Sequence, residues 1–227
     1  HKVIFICREL IGNIISLISY QVVKLPRDDN FQANDFYLKS LGASQEQDAI
    51  ETKKVIPKKT NLLIVDSYAI DKIWHRKLRP HVHTLMVIDD LADREFDCDI
   101  LLNQNLASNK KDYEGRTPAN CKFFLGCEFA LLRSEFYELR EKAVEKRKKT
   151  KKIQKILISM GGSDLNNFTF EILRQLENNF KLIVVLGAAS KHQKMIKDYA
   201  KDKNISIIIN SNNMSELMFE ADLAIGA

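Results

Sequence analysis

Short runs of β-branched residues alternate with longer helix-like patterns along almost the whole chain of 227 residues. This alternation is typical of an α/β protein, because parallel strands need a crossover connection, usually a helix, between them. We predict strands at 3–7, 21–25, 61–66, 84–89, 99–102, 155–160, 181–186, 205–209 and 223–225. We predict helices at 10–19, 31–41, 45–52, 73–78, 167–176, 191–202 and 214–221.

These elements form two series, and a basic segment separates them. The sequence therefore predicts the α/β class with two Rossmann-like domains, at 1–135 and 153–227, joined by a charged helical connector at 136–152. In such sheets ligands bind at the carboxyl ends of the strands. The chain begins in an apolar strand and stops at a strand-to-loop turn, so we expect domain 1–135 to lack its first βα unit and domain 153–227 to lack its last part.

Composition describes an ordinary globular chain, with 45% hydrophobic and 29% charged residues. The formal net charge is +5, but the basic residues concentrate between Arg140 and Lys155, where glutamates are interspersed. This pattern favours a solvated helix face and predicts no nucleic-acid partner. The four cysteines show no C-x-x-C spacing, which is typical of reduced thiols in a cytosolic protein.

No apolar run reaches the length that a membrane-spanning helix needs. The opening run VIFIC is interrupted at once by Arg8 and Glu9, so it is too short for a signal peptide. The sequence therefore predicts a cytoplasmic protein with no membrane partner.

A strand-like run, a Gly-Gly-Ser-Asp turn and a helix-like pattern follow one another in IQKILISMGGSDLNNFTFEIL, residues 153–173. Gly161 and Gly162 have no β-carbon, so the backbone there can take positive φ and approach a bulky anion closely. This arrangement indicates nucleotide or nucleotide-sugar binding. A Gly-Gly pair also suits any tight strand-to-helix turn, and neither G-x-G-x-x-G nor G-x-x-x-x-G-K-[ST] is present.

The residues after the glycines supply candidate ligands for the same anion. Ser163 or Asp164 is a candidate N-cap, which would direct the first-turn amides of residues 165–167 at a diphosphate. The Ser163 hydroxyl is a further donor. The charge of Asp164 would repel a close phosphate, so capping is its first role and binding of a sugar hydroxyl its second.

Five phrases in the middle of the chain follow one another in order: LKSLGASQEQDAIET (38–52), LLIVDSYAID (62–71), LRPHVHTLMVIDDLADREFDCDILLNQN (78–105), DYEGRTPANCKFFLGCEFALLRSEFYELR (112–140) and ILISMGGSD (156–164). Together they resemble the UDP-sugar hydrolase family of pseudaminic acid biosynthesis. The resemblance implies a GT-B-like arrangement of the two domains and release of UDP from UDP-2,4-diacetamido-2,4,6-trideoxy-β-L-altropyranose without a metal ion. It spans nearly the whole chain.

The resemblance implies that Tyr68 lies at the active-site mouth with its phenol near the reacting sugar; a strand-end aromatic packed on the domain surface is the alternative. Ser67 stands where the family often has histidine. The family's base histidine, in a glycine-rich turn, has no counterpart here, and His1 is not given its role. Asp66, Asn103 and Asn105 lie at predicted strand ends, where they would bind sugar hydroxyls and acetamido groups.

Other residues have structural alternatives. The asparagines at strand ends and the acids at 89–90 are also common turn formers. In INSNNMSELM (209–218), Asn213 is a candidate helix cap, Met214 a soft surface for the uracil, and Leu217 its backing. Core packing explains Met214 equally well.

The favoured function is therefore a UDP-sugar hydrolase that uses water attack at the anomeric carbon with inversion, on the pathway to a bacterial surface nonulosonic acid. Its expected partners are the UDP-sugar and UDP; no cofactor and no metal are predicted, because the histidines lack H-E-x-x-H spacing. A GT-B glycosyltransferase and a noncatalytic nucleotide-sugar-binding module remain alternatives. The sequence leaves the oligomeric state open.

Overall fold

The chain folds into two compact units, residues 1–131 and 132–227. The computed structural model describes residues 2–10, 15, 18–28, 30–176, 180–188 and 190–226. The predicted helix at 10–19 falls largely outside the described residues, as do His1 and Ala227. Both units contain parallel sheets, which confirms the α/β class.

Unit 1 contains two parallel sheets. A two-stranded sheet pairs β1 (Ile4–Arg8) with β2 (Gln21–Leu25). A four-stranded sheet has the order β3 (Thr60–Asp66), β4 (Val82–Ile88), β5 (Ile100–Asn103) and β6 (Lys122–Leu125). The helices are α1 (Phe36–Leu41), α2 (Gln45–Val55) and α3 (Lys72–Leu78). Because β3 to β6 are all parallel, their carboxyl ends meet at one edge of the sheet.

Unit 2 is a four-stranded parallel sheet with helical crossovers. Its elements are α4 (Ser134–Lys149), β7 (Lys155–Ser159), α5 (Phe168–Gln175), β8 (Lys181–Leu186), α6 (Gln193–Ala200), β9 (Ile205–Ile209), α7 (Met214–Glu220) and β10 (Leu223–Gly226). The strand order is β10-β7-β8-β9. The segment expected as a connector forms α4 and packs within this unit, where Lys146 Nζ donates to the carbonyls of Phe219 and Glu220 at 2.8 and 2.7 Å.

Apolar side chains cover both faces of the unit 2 sheet, as parallel sheets require. One cluster includes Ile156, Ile158 and Val184, and the other is built on Leu157 and Ile183. Among the helices of the described residues, none has both the length and the apolar character needed to cross a membrane.

A buried ion pair fastens the two-stranded sheet of unit 1 to its helices. Arg8 Nη2 donates to Asp48 Oδ2 at 2.8 Å, and Trp74 Nε1 donates to the other oxygen of Asp48 at 2.9 Å. Removing Asp48 would leave the Arg8 guanidinium buried without this partner, which is costly. The contact therefore connects β1, α2 and α3.

His75 lies in the core of unit 1 and is fully buried. Its Nδ1 accepts a hydrogen bond from the Asp97 backbone N–H at 3.3 Å, and its ring stacks on Phe96 with 6.2 Å between centroids. Burial lowers the pKa of His75 from 6.5 to about 4. The folded protein therefore holds His75 neutral at pH values where the unfolded chain binds a proton.

We predict that His75 makes the protein less stable in mild acid. Between about pH 6.5 and 4 the unfolded state binds the extra proton, so the free energy of unfolding decreases as the pH falls, by ~3 kcal/mol over the whole window. Urea unfolding of His75→Gln should show a weaker pH dependence than that of the wild type. The exposed His83 offers a control, because His83→Gln should keep the wild-type slope. Equal slopes for wild type and His75→Gln would contradict the prediction.

Candidate functional site

The Gly-Gly turn of unit 2 follows β7 at the point where the strand order of the sheet reverses. Strands β8 and β9 lie on one side of β7 and β10 lies on the other. In open α/β sheets, ligands bind outside the carboxyl ends of the strands at such a switch point. Gly161 has φ 74°, and Gly161, Gly162 and Ser163 are all exposed. The backbone of this turn is therefore accessible to a ligand.

Backbone contacts fix the position of this turn. A β-carbon built on Gly187, directly after β8, would lie 2.0 Å from the Gly162 carbonyl oxygen. A β-carbon on Gly226, at the end of β10, would lie 3.0 Å from the Ser159 carbonyl oxygen. Three strand ends therefore approach one another more closely than side chains would allow. The sequence interpretation missed Gly187, although a glycine directly after a buried strand was a usable signal.

Asp164 caps the helix that follows the turn. It is buried, has φ 41°, and accepts hydrogen bonds from the backbone N–H groups of Phe168 at 2.8 Å and Thr169 at 3.1 Å. Helix α5 therefore begins at Phe168, with Asn167 at the N-cap position. The prediction that residues 165–167 form the first turn was wrong, because Asp164 caps from a left-handed conformation upstream. A carboxylate already occupies the positive end of this helix.

The α7 corner packs into unit 2. Met214 and Leu217 are half-buried and contact the apolar cluster of β7 and β8. Asn213 stands at the N-cap position, but its side chain makes no capping hydrogen bond. Core packing accounts for Met214 and Leu217, and contact with a base stays a prediction.

In unit 1 the residue after β4, Asp89, accepts a set of hydrogen bonds in the interior. Its carboxylate accepts from Arg94 Nη2 at 2.7 Å, from the Tyr113 hydroxyl at 3.1 Å and from the Ala92 N–H at 2.9 Å. Asn103 is also buried and donates to Tyr113 Oη at 3.0 Å. Asp89 and Tyr113 therefore connect β4, β5 and the loop before β6.

Asn103 uses both ends of its amide within the protein. Besides donating to Tyr113, it accepts the backbone N–H of Asn105 at 3.0 Å. This arrangement favours a positioning role for Asn103 rather than a direct contact with a ligand. Asn105, by contrast, is exposed at the same edge.

Asp90 is the exposed acid on which the polar side chains of this edge converge. It accepts a hydrogen bond from the Tyr68 hydroxyl at 2.7 Å and one from Asn105 Nδ2 at 3.2 Å. The hydrogen bond to Asp90 raises the pKa of Tyr68 to about 12, so the phenol is a proton donor at neutral pH. Asp66 stays exposed at the end of β3, yet partial desolvation, and secondly the charge of Asp90, raise its pKa.

The sequence interpretation assigned Asp66, Tyr68, Asn103 and Asn105 to this edge, and the structure places all four at or just after the ends of β3 and β5. It treated the acids at 89–90 as turn formers and missed Arg94 and Tyr113. A doubled acid directly after a buried strand was the available signal for Asp90. Within the described ranges, no three His, Cys, Asp or Glu side chains are grouped as a metal site would need, and metal independence stays a prediction.

Parallel sheets and a glycine turn at a switch point are features of Rossmann-like α/β proteins. No protein-family model matches the chain. The chain is similar to the UDP-2,4-diacetamido-2,4,6-trideoxy-β-L-altropyranose hydrolase of Campylobacter jejuni, with 28% identity over 221 residues, 96% of this chain and 71% of that relative. This comparison confirms the resemblance that the ordered phrases indicated.

Two further relatives match over smaller shares of their own length. An uncharacterized protein of Methanocaldococcus jannaschii is 30% identical over 201 residues, 82% of this chain and 40% of that protein. A spore coat polysaccharide biosynthesis protein of Bacillus subtilis is 29% identical over 114 residues, 48% of this chain and 32% of that protein. The chain therefore spans less than half of the length of either of these relatives.

We predict that Gly187→Ala destabilises unit 2, because its β-carbon would overlap the Gly162 backbone. Overpacking of this kind costs about 1–3 kcal/mol of unfolding free energy. Gly162→Ala is the matched control, since a β-carbon there meets nothing within 4 Å. Chemical unfolding of both variants should show a loss only for Gly187→Ala. A Gly187→Ala protein as stable as the wild type would refute the close contact.

We also predict that Asp90→Asn lowers the pKa of Tyr68 from about 12 toward its ordinary value of 10.0, because the phenol loses a charged acceptor. Absorbance titration to about pH 11, compared with Tyr68→Phe, should reveal one additional ionising phenol in Asp90→Asn. Asp93→Asn, which removes another exposed acid near Arg94, should titrate like the wild type. Circular dichroism would verify that each variant stays folded. If Asp90→Asn titrates like the wild type, the hydrogen bond to Asp90 does not raise the pKa of Tyr68.

Proposed function

We propose that this protein is a UDP-sugar hydrolase that releases UDP from UDP-2,4-diacetamido-2,4,6-trideoxy-β-L-altropyranose in pseudaminic acid biosynthesis. The exposed Gly-Gly turn at the switch point of unit 2 carries the proposal. The similarity to the Campylobacter jejuni hydrolase supports the choice of substrate. The GT-B-like arrangement that belongs to this proposal rests on the resemblance alone.

In the proposed site the diphosphate binds the backbone of Gly161, Gly162 and the Ser163 hydroxyl. Backbone amides can stabilise the charge that develops on a leaving diphosphate. Asp164 faces its own helix through both oxygens, so capping is its function and ligand binding is not required of it. Asn213, Met214 and Leu217 would lie toward the uracil.

The sugar is assigned to unit 1. The phenol of Tyr68 stays protonated at neutral pH and donates its hydrogen to Asp90, so its proposed catalytic role is to accept a hydrogen bond from the attacking water near the anomeric carbon. The water loses its proton to solvent as the new C–O bond forms, and UDP leaves as an anion with inversion. The Asp66 carboxylate would accept a hydrogen bond from a sugar hydroxyl, and Asn105 would bind an acetamido group. Asn103 would hold Asn105 in place.

Calorimetry with UDP, and with UMP and ADP for comparison, tests this division of roles. Gly162→Val should weaken UDP binding by roughly tenfold or more, because a branched side chain would occupy the path of the diphosphate. Tyr68→Phe should lower turnover and keep the wild-type UDP affinity, because the phenol serves the sugar. A UDP affinity that survives Gly162→Val in a folded protein, or is lost in Tyr68→Phe, would exclude the assignment. No selective UDP binding by the wild-type chain would argue against the function itself.

A further inference from the structure

Three aromatic rings lie in contact beside the acidic edge of unit 1. The Phe36 and Tyr37 ring centroids are 5.6 Å apart, and those of Tyr37 and Tyr68 are 5.1 Å apart. Phe36 is 75% exposed and Tyr68 is 41% exposed. Adjacent exposed aromatic side chains are a recurrent feature of binding surfaces. Phe36 and Tyr37 come from α1, so the strand-end pattern of the sequence did not include them.

The charge beside these rings restricts what can bind there. Asp90 accepts hydrogen bonds from Tyr68 and Asn105, and Asp66 lies exposed at the end of the neighbouring strand. Arg94 lies 5.7 Å from the Tyr68 ring, but its guanidinium donates to the carboxylates of Asp89 and Asp93. The surface therefore presents carboxylate acceptors and repels phosphate. It suits a neutral group with an apolar face and with O–H or N–H donors.

We propose that Phe36 and Tyr37, with Tyr68, Asp66 and Asp90, form an aromatic edge that binds the pyranose ring of the UDP-sugar. The C–H face of a pyranose stacks on aromatic rings, while its hydroxyl and amide hydrogens donate to the two carboxylates. This inference rests on the proposed function and extends it, because it assigns sugar recognition to side chains of α1. The diphosphate, as an anion, binds elsewhere.

The test compares the affinities for UDP-2,4-diacetamido-2,4,6-trideoxy-β-L-altropyranose and for UDP by low-temperature calorimetry, with UDP release checked by chromatography. Tyr37→Ala should weaken binding of the sugar nucleotide about three- to tenfold and leave the UDP affinity unchanged. Tyr37→Phe keeps the ring and should bind both ligands like the wild type. Phe36→Ala, at a more exposed position, should act in the same direction as Tyr37→Ala with little effect on folding.

Tyr20→Ala is the matched control. Tyr20 is 60% exposed and contacts one ring, that of Phe5 at 5.9 Å, but it precedes its strand instead of following one. Its removal should leave both affinities unchanged. If the wild type binds the sugar nucleotide and both Tyr37→Ala and Phe36→Ala bind it as tightly as the wild type does, the aromatic edge does not bind the sugar. The proposed function is unaffected by that result. If the wild type binds neither ligand, both proposals fail.

Discussion

The buried carboxylate of Asp89 is the interaction on which the candidate edge of unit 1 depends. Its side chain is fully buried and receives hydrogen bonds from Arg94, Tyr113 and a backbone amide, which together compensate its loss of water. Loss of Arg94 would leave the Asp89 carboxylate in the interior without its charged partner. Because Asp89 is held this firmly, the next residue, Asp90, is presented to solvent at a defined position. A buried structural acid and an exposed acid are thus neighbours in the sequence.

The candidate sites at the carboxyl ends of the strands are built differently in the two units. Unit 1 uses side chains, and its exposed edge is acidic and aromatic. Unit 2 uses the backbone, since Gly162 and Gly187 touch without side chains between them. The edge of unit 1 therefore suits a neutral, donor-rich group, and the edge of unit 2 suits an anionic group.

The sequence predicted the α/β class and nine of the ten strands of the described residues closely enough to locate the strand ends, because β-branched runs and helix patterns are local signals. Strand β6 was missed because it has only four residues and follows a connection that contains a 3₁₀ helix at Lys110–Tyr113 instead of an α-helix. The start of α5 was misplaced because a side chain upstream supplies its cap. The positions of Asp90 and Gly187, directly after buried strands, are visible in the sequence, but their roles depend on contacts with residues distant in the chain.

The cap that Asp164 provides also bears on how a nucleotide product would leave. Since a carboxylate neutralises the positive end of α5, a diphosphate at the Gly-Gly turn gains little from the helix and relies on amide hydrogen bonds. Binding of this kind is weaker than binding to which the dipole of an uncapped helix also contributes. Under the proposed function, UDP bound in this way would dissociate more readily than from a site at an uncapped helix end. The helix cap made by Asp164 would therefore also affect the rate of product release in the proposed reaction.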